Sequence, residues 1–313
     1  MANASASAPA VSKRSLSNML EKTPGSNPDA KRITSAFLPE EQEQLQALVN
    51  IFIEESSNLE DYADIYGQAE ITKDQIRVTE LREKFAKKDS PQDKRNKFYS
   101  QILEMIVRDF GNNWLPGYFS KASEYDDYFN GTDLVWELRS ETGTVQRIAI
   151  DVTSGGTDYH NKVEKAKLAL STSDKFQTVK YFTSEMEELA GEVSLPKIVI
   201  GIERHKLIKL ARLYLQLVNA HGSLKDKIYR NIVAFDLGQD LVNETTEQLD
   251  NWQSVIEKNI NIATEQAATF TKEEEKQKIR IRISRLSEML EQLKAIKETI
   301  LAGVKKKDPR TGE

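Results

Sequence analysis

The sequence contains no cysteine, and its 313 residues include only three histidines, His160, His205 and His221. Disulfides and thiolate zinc sites are therefore excluded, and a histidine-rich metal centre lacks the ligands to form. Long apolar runs are missing too. Nothing approaches the roughly 20 residues of a membrane-spanning helix, and the amino terminus has no apolar signal-peptide core. These absences lead to the expectation of a cytoplasmic protein with no membrane partner. Nor is there an excess of positive charge: Lys and Arg number 44 against 49 Asp and Glu, a formal net charge of −5, which argues against bulk coating of nucleic acid. A local basic groove remains compatible with that balance, since phosphate contacts answer to local charge.

What the chain does carry is charge in quantity. Asp, Glu, Lys and Arg make up 30% of it and the mean hydropathy is −0.56, which predicts extensive solvated helix surface. The length accommodates two domains, or one domain with helical attachments. Residues 1–35, rich in Ala, Ser, Asn and Pro and without periodicity, read as a disordered tail. Its Lys13-Arg14 and Lys31-Arg32 pairs are either solubilising charge or contacts for nucleic acid. Leu38-Pro39-Glu40-Glu41 predicts a helix start, and Leu45, Leu48, Val49, Phe52 and Ile53 follow at helical spacing. A second helix over Lys73–Lys87 carries Ile76, Leu81 and Phe85, so residues 36–90 form a helical cap. Ser90-Pro91 opens a third helix with the stripe Phe98, Ile102, Met105, Ile106 and Phe110.

The stretch from Tyr125 to Leu170 organises the rest. Asn130-Gly131 marks a turn, Leu134–Leu138 a strand, Glu141-Thr142-Gly143 a hairpin turn and Val145–Val152 a second strand, with a helix after it. Asp133 opens the first strand and Asp151 closes the second, so antiparallel pairing brings two carboxylates to one end of the sheet. Like charges that close raise each other's pKa or recruit a cation, and hard, oxygen-seeking Mg²⁺, or Mn²⁺ in its place, is the natural occupant. The alternative is that both residues merely end their strands and face water. Asp126 and Asp127, just upstream, either supplement the acidic pair or are solvated in the loop.

Gly131-Thr132-Asp133 followed by Asp151-Val152-Thr153 resembles the PD-(D/E)XK nuclease superfamily. In that family an acidic residue opens one strand and an acidic-X-Lys triplet ends the next. The resemblance implies a restriction-endonuclease-like α/β core over residues 91–238, a mixed sheet flanked by helices. It also implies a metal-dependent endonuclease acting on phosphodiester bonds, here expected in DNA. It makes Asp133, Asp151 and the Val152 backbone carbonyl the metal ligands, and it makes Glu104 of the preceding helix a matching acidic residue, which is otherwise an ordinary solvated glutamate. The departure is Thr153 at the lysine position. Some members move that lysine to a neighbouring element, which points to Lys165, then Lys162, in the following helix. Loss of catalysis, with binding of nucleic acid or protein retained, is the other reading of Thr153.

Further on, Gln177–Phe182, Lys197–Ile202 and Ile228–Leu237 read as strands and Lys206–Val218 as a helix. Arg204, His205, Lys206 and Lys209 either bind phosphate or decorate the surface. From Gln239 to residue 304 the pattern predicts two long helices, lined by Leu249, Trp252, Val255, Ile256 and Ile260 and by Ile279, Ile283, Leu286, Leu290 and Leu293, with a polar break near Thr269–Glu274. They form an intramolecular antiparallel hairpin, or a seam for a homodimer. Lys276, Lys278, Arg280, Arg282 and Arg285 make a basic stretch suited to nucleic-acid backbone contacts, and residues 305–313 a loose basic tail containing Lys305, Lys306 and Lys307.

Overall fold

The central helix is specified at its first turn. Ser90 Oγ accepts from Asp93 N–H, while Asp93 Oδ2 accepts from Ser90 N–H at 3.0 Å, with Pro91 at the first helical position. In the computed structural model, which describes residues 36–307, this is α3 (Pro91–Trp114). It follows α1 (Pro39–Glu54) and α2 (Gln68–Lys88), between which lie a 3₁₀ turn and a single helical turn. After it come β1 (Tyr118–Lys121), β2 (Leu134–Arg139), β3 (Val145–Thr153), α4 (Gly156–Thr172), β4 (Gln177–Thr183), β5 (Ala190–Leu195) and β6 (Lys197–Gly201). The chain ends in α5 (Arg204–Asn219), α6 (Gly222–Val233), α7 (Leu237–Thr269) and α8 (Glu273–Lys307).

The main sheet has the order β1-β2-β3-β6, with the first three strands antiparallel and β6 parallel to β3. Side chains alternate across it. Val135 and Ala149, from β2 and β3, meet Val179, Phe182 and Leu195 of the β4–β5 hairpin, which forms a second small sheet. In β2, Leu134, Trp136 and Leu138 alternate with these and are fully buried; Trp136 stacks on Phe119 at 5.2 Å and donates to Pro116 O at 2.7 Å. The buried polar pair Glu137–Arg147 ties the hairpin down, because Glu137 also accepts from Ser184 Oγ at 2.6 Å and Glu185 N–H at 2.7 Å.

The outer edge of β6 is closed by a helix instead of a strand. Trp252 Nε1 donates to Lys197 O at 2.8 Å; Gln248 donates to Val199 O at 2.7 Å and accepts from Val199 N–H at 2.9 Å; Glu244 accepts from Gly201 N–H at 3.3 Å. Four residues of helix advance about 6 Å and two residues of strand about 6.6 Å. A helix lying antiparallel to the strand can therefore match every second residue of it with every fourth of its own. Backbone groups that would otherwise offer an open edge are satisfied.

The cap, core and C-terminal helices form one compact unit from Phe37 onward. In α2, Ile71, Asp74 and Val78 are buried. Asp74 is fully covered and accepts from Lys180 Nζ at 2.6 Å and Tyr181 OH at 2.9 Å, which pins the cap to β4. α7 and α8 are antiparallel neighbours: Gly238 lies against Trp114 and Gly303 against Pro116, so the start of one helix and the end of the other reach the same place. The α8 seam runs through Leu286, Met289, Leu293, Ile296 and Ile300, with Ile279, Ile283 and Leu290 only half-buried.

Two expectations from sequence are corrected. Ile228–Leu237 is not a strand; it covers the end of α6 and the turn into α7, with Ile228 and Ile232 buried four residues apart, the helical repeat. Lys305–Lys307 is not a loose tail but the last turn of α8. Strands β1 and β5 went unpredicted. Residues 1–35, with Lys13, Arg14, Lys31 and Arg32, and residues 308–313 lie outside the described residues.

The edge closure is testable. Gln248→Leu keeps the volume but strands Val199 N–H and C=O in a buried setting, so it should cost about 2–4 kcal/mol in urea unfolding. A change within about 0.5 kcal/mol, the range of a neutral surface substitution, would show that the helix is not what closes the edge.

Candidate active site

The β2–β3 pairing continues to the sheet end, where Asp133 N–H donates to Ile150 O at 2.8 Å. Asp133, just before β2, thus lies beside the end of β3 that carries Asp151. Asp133 Oδ2 accepts from Val152 N–H at 2.6 Å. Asp151 lies between two lysines: Lys162 of α4 donates to its Oδ1, and Lys197 of β6 reaches its Oδ2 at 3.0 Å. Lys162 also donates to Val152 O at 3.1 Å. On the α3 side Glu104 and Lys121 of β1 pair at 3.4 Å, each side chain 9% exposed.

The loop before β2 completes the site. A π-helical turn, Asp126–Asn130, ends at Gly131 with φ of 56°. A side chain there would be strained by that backbone and would bring a Cβ within 2.9 Å of Lys197 Nζ. Asp126 is fully buried and holds the turn to β4 by accepting from Lys180 N–H at 2.7 Å and Tyr181 N–H at 3.0 Å. Asp127, next to it, turns into the site instead. Asp126 is buried and structural, not solvated in the loop, whereas Asp127 is half-buried and lines the cleft beside the acidic pair.

Electrostatics follow from this crowding. Burial first, then the charges of Glu104, Asp127 and Asp151, raises the Asp133 carboxyl well above its ordinary range, with Lys162 opposing. Burial likewise raises Asp127 against the pull of Lys121 and Lys97, and raises Glu104 against the pull of Lys121. For Lys162, burial works against the ammonium, but Asp151 and Asp133 outweigh it and hold its pKa above the usual value.

These groups line a cleft of about 450 Å³ between the cap and the core, bounded by Arg82 of α2, Lys97, Gln101 and Glu104 of α3, Tyr128 of the loop, and Val152 and Lys162. Glu104, Asp133, Val152 and Lys162, singled out in the sequence, line it together; Asp151 is joined to them through Lys162. The preference for Lys165 is reversed: it is exposed and does not line the cleft, whereas Lys162 does. Lys276, Lys278, Arg280 and Arg282 do not line the cleft. Their helix meets the core through an Arg285–Asp174 pair beyond the far end of α4, about 15 Å along that helix from Lys162. Of the cations after β6, Lys206 pairs with Asp240 at 2.6 Å and Arg204 donates to Asn96 at 2.9 Å. Sequence reading missed Lys97, Lys121 and Lys197. Lys197 carries no local signal, because only the parallel β3–β6 pairing takes it to Asp151.

Among the described residues no three His, Asp or Glu side chains gather in metal-ligating geometry; the carboxylates are turned onto lysines and a backbone N–H. The chemistry of the donor set nevertheless suits a hard cation, since Asp133, Asp151 and Val152 O supply only oxygen. No family model, curated protein or solved structure matches the chain. No helix among the described residues is long and apolar enough to cross a membrane.

A buried carboxyl with a raised pKa lowers stability. The unfolded group ionises near its ordinary value, about 3.9, whereas the folded one resists, so the cost is absent below that pH, grows as pH rises towards the folded pKa and then levels off. Asp133→Asn should therefore raise the thermal midpoint in EDTA at pH 7, and the gain should shrink as pH falls towards 4, where ordinary carboxyls protonate. A lowered midpoint at pH 7 would contradict the assignment.

Proposed function

We propose that the chain is a metal-dependent, nuclease-like hydrolase of phosphodiester bonds in DNA, built on a restriction-endonuclease-like core. The observation that carries the reading is the meeting of Asp133, Asp151, the Val152 carbonyl and Lys162 at one sheet end, beside an open cleft. The mixed sheet flanked by helices, with Asp133 and Asp151 at one end of it, supports the reading, since that is the architecture the sequence resemblance implies.

In this reading Asp133, Asp151 and Val152 O would hold Mg²⁺ or Mn²⁺, whose chemistry when bound would be to acidify a water and offset charge on the phosphate. Lys162 replaces the lysine missing at Thr153. It already reaches both Asp151 and Val152 O, which puts its ammonium beside the oxygens proposed to hold the cation. There it orients the nucleophile and offsets negative charge growing on the phosphoryl oxygens. Glu104 positions Lys121 at the cleft floor for a phosphate oxygen. Lys276, Lys278, Arg280 and Arg282 add long-range attraction for the DNA backbone.

A second reading, a nuclease fold that binds nucleic acid without cutting it, is favoured by Thr153 and by the engagement of Lys162 with the very oxygens a cation needs. Incubation of single- and double-stranded DNA and RNA with Mg²⁺, Mn²⁺ or EDTA separates the two. The nuclease reading expects metal-dependent DNA cleavage that Asp151→Asn abolishes. Lys162→Met should slow it by about 10²–10³-fold, the scale of one lost electrostatic stabiliser of the transition state, while Lys165→Met leaves it intact. Equal sensitivity to both lysine substitutions would reject the assignment of Lys162, and no cleavage by the wild type would leave the binding-only reading.

A further inference from the structure

The mouth of the cleft holds an arrangement that the proposed chemistry does not use. Phe85, near the end of α2, is 41% exposed, and its ring lies parallel to that of Tyr128 at 5.8 Å and 12°. Tyr128 belongs to the turn that also carries Asp127. Lys97 Nζ sits 5.5 Å from the Tyr128 ring centroid, and Arg82, one turn before Phe85, is held over this rim by Glu124. One side of α3 then leads inward: Lys97, Gln101 and Glu104 recur at helical spacing and all line the cleft. From Lys97 to Glu104 is about 10 Å along the axis, a distance spanned by one or two nucleotides.

An exposed phenylalanine is unremarkable alone. This one is backed by Tyr128, which itself lines the cleft together with Arg82, Lys97, Lys121 and Lys162. Rings that stack bases beside cations that meet phosphates are how sequence-tolerant single-strand sites are built. The cleft volume, about 450 Å³, is that of a small-molecule pocket. It has room for unpaired nucleotides entering singly.

We propose that Phe85, backed by Tyr128 and flanked by Arg82 and Lys97, is a stacking platform for an unpaired base, so that the cleft takes single-stranded DNA. This rests on the nuclease-fold reading for what lies at the cleft floor, but the platform is a binding site and needs no catalysis. Its occupant stacks one base on the free face of Phe85, with the adjoining phosphate near Lys97 and the strand running towards Lys121 and Lys162.

The test is fluorescence anisotropy of the full chain with a labelled single-stranded oligothymidine and with a duplex of equal length, both in EDTA so that neither metal nor cleavage contributes. The wild type should prefer the single strand. Phe85→Ala should weaken single-strand binding about tenfold, in line with the loss of one base stack, and Phe85→Trp should restore it, with duplex binding unchanged. Unaltered single-strand affinity in Phe85→Ala, preference for the duplex, or a drop in melting temperature with no change in affinity would each overturn the proposal; the last would mean that the ring pair only docks the cap. Single-strand binding of this kind without cleavage in Mg²⁺ or Mn²⁺ would remove the nuclease reading and leave the platform standing. Cleavage insensitive to Phe85→Ala would do the reverse.

Discussion

Carboxylates crowded into a poorly solvated place cannot all stay ionised unless positive charge is brought to them. That constraint decides how the centre of this molecule is put together. Antiparallel pairing of β2 with β3 forces Asp133 and Asp151 to one sheet end, and the loop and α3 add Asp127 and Glu104. Lysines arrive from three other elements: Lys121 from β1, Lys162 from α4 and Lys197 from β6. Asp133, which accepts from a backbone N–H and pairs with no lysine among the described residues, is raised well above its ordinary range by burial and by the neighbouring acids. The residual imbalance is itself suggestive, since natural proteins keep such costs where function needs them.

The framework around this cluster is correspondingly tied down. The parallel strand that delivers Lys197 would be an open edge without α7, and Trp252, Gln248 and Glu244 close it group by group. The loop that delivers Asp127 is fixed by Asp126 to the backbone of β4. The cap is fixed to the same strand by Asp74. The cleft between cap and core is thus bordered by elements whose positions are set by buried hydrogen bonds, which suits a site that must hold groups in place before anything binds.

Much of this was legible in the residues. The helix start at Ser90-Pro91, the hairpin turn near Gly143 and the acids at the two strand ends each have a local cause, and the nearness of Asp133 to Asp151 follows from the hairpin pairing. The α7–α8 break was equally visible, since polar residues interrupt two apolar stripes. What could not be read depends on contacts between distant segments. Lys197 is opposite Asp151 only because β6 pairs with β3. Lys162 and Lys165 share a helix face, so periodicity does not separate them; which of them reaches Asp151 depends on how far along α4 the sheet end falls. Ile228–Leu237 was misread because a short apolar run looks alike in a buried strand and on a helix face.

Divalent-cation binding is the property on which the functional account turns, and it can be measured without knowing any substrate. Titration with Mn²⁺ followed by the loss of free-ion electron paramagnetic resonance signal should reveal one saturable site in the wild type. Asp133→Asn and Asp151→Asn should each abolish it. Lys162→Met should retain or tighten it, because that ammonium competes for Asp151 and the Val152 carbonyl. Absence of saturable binding, or binding indifferent to both aspartate substitutions, would contradict the account at its centre.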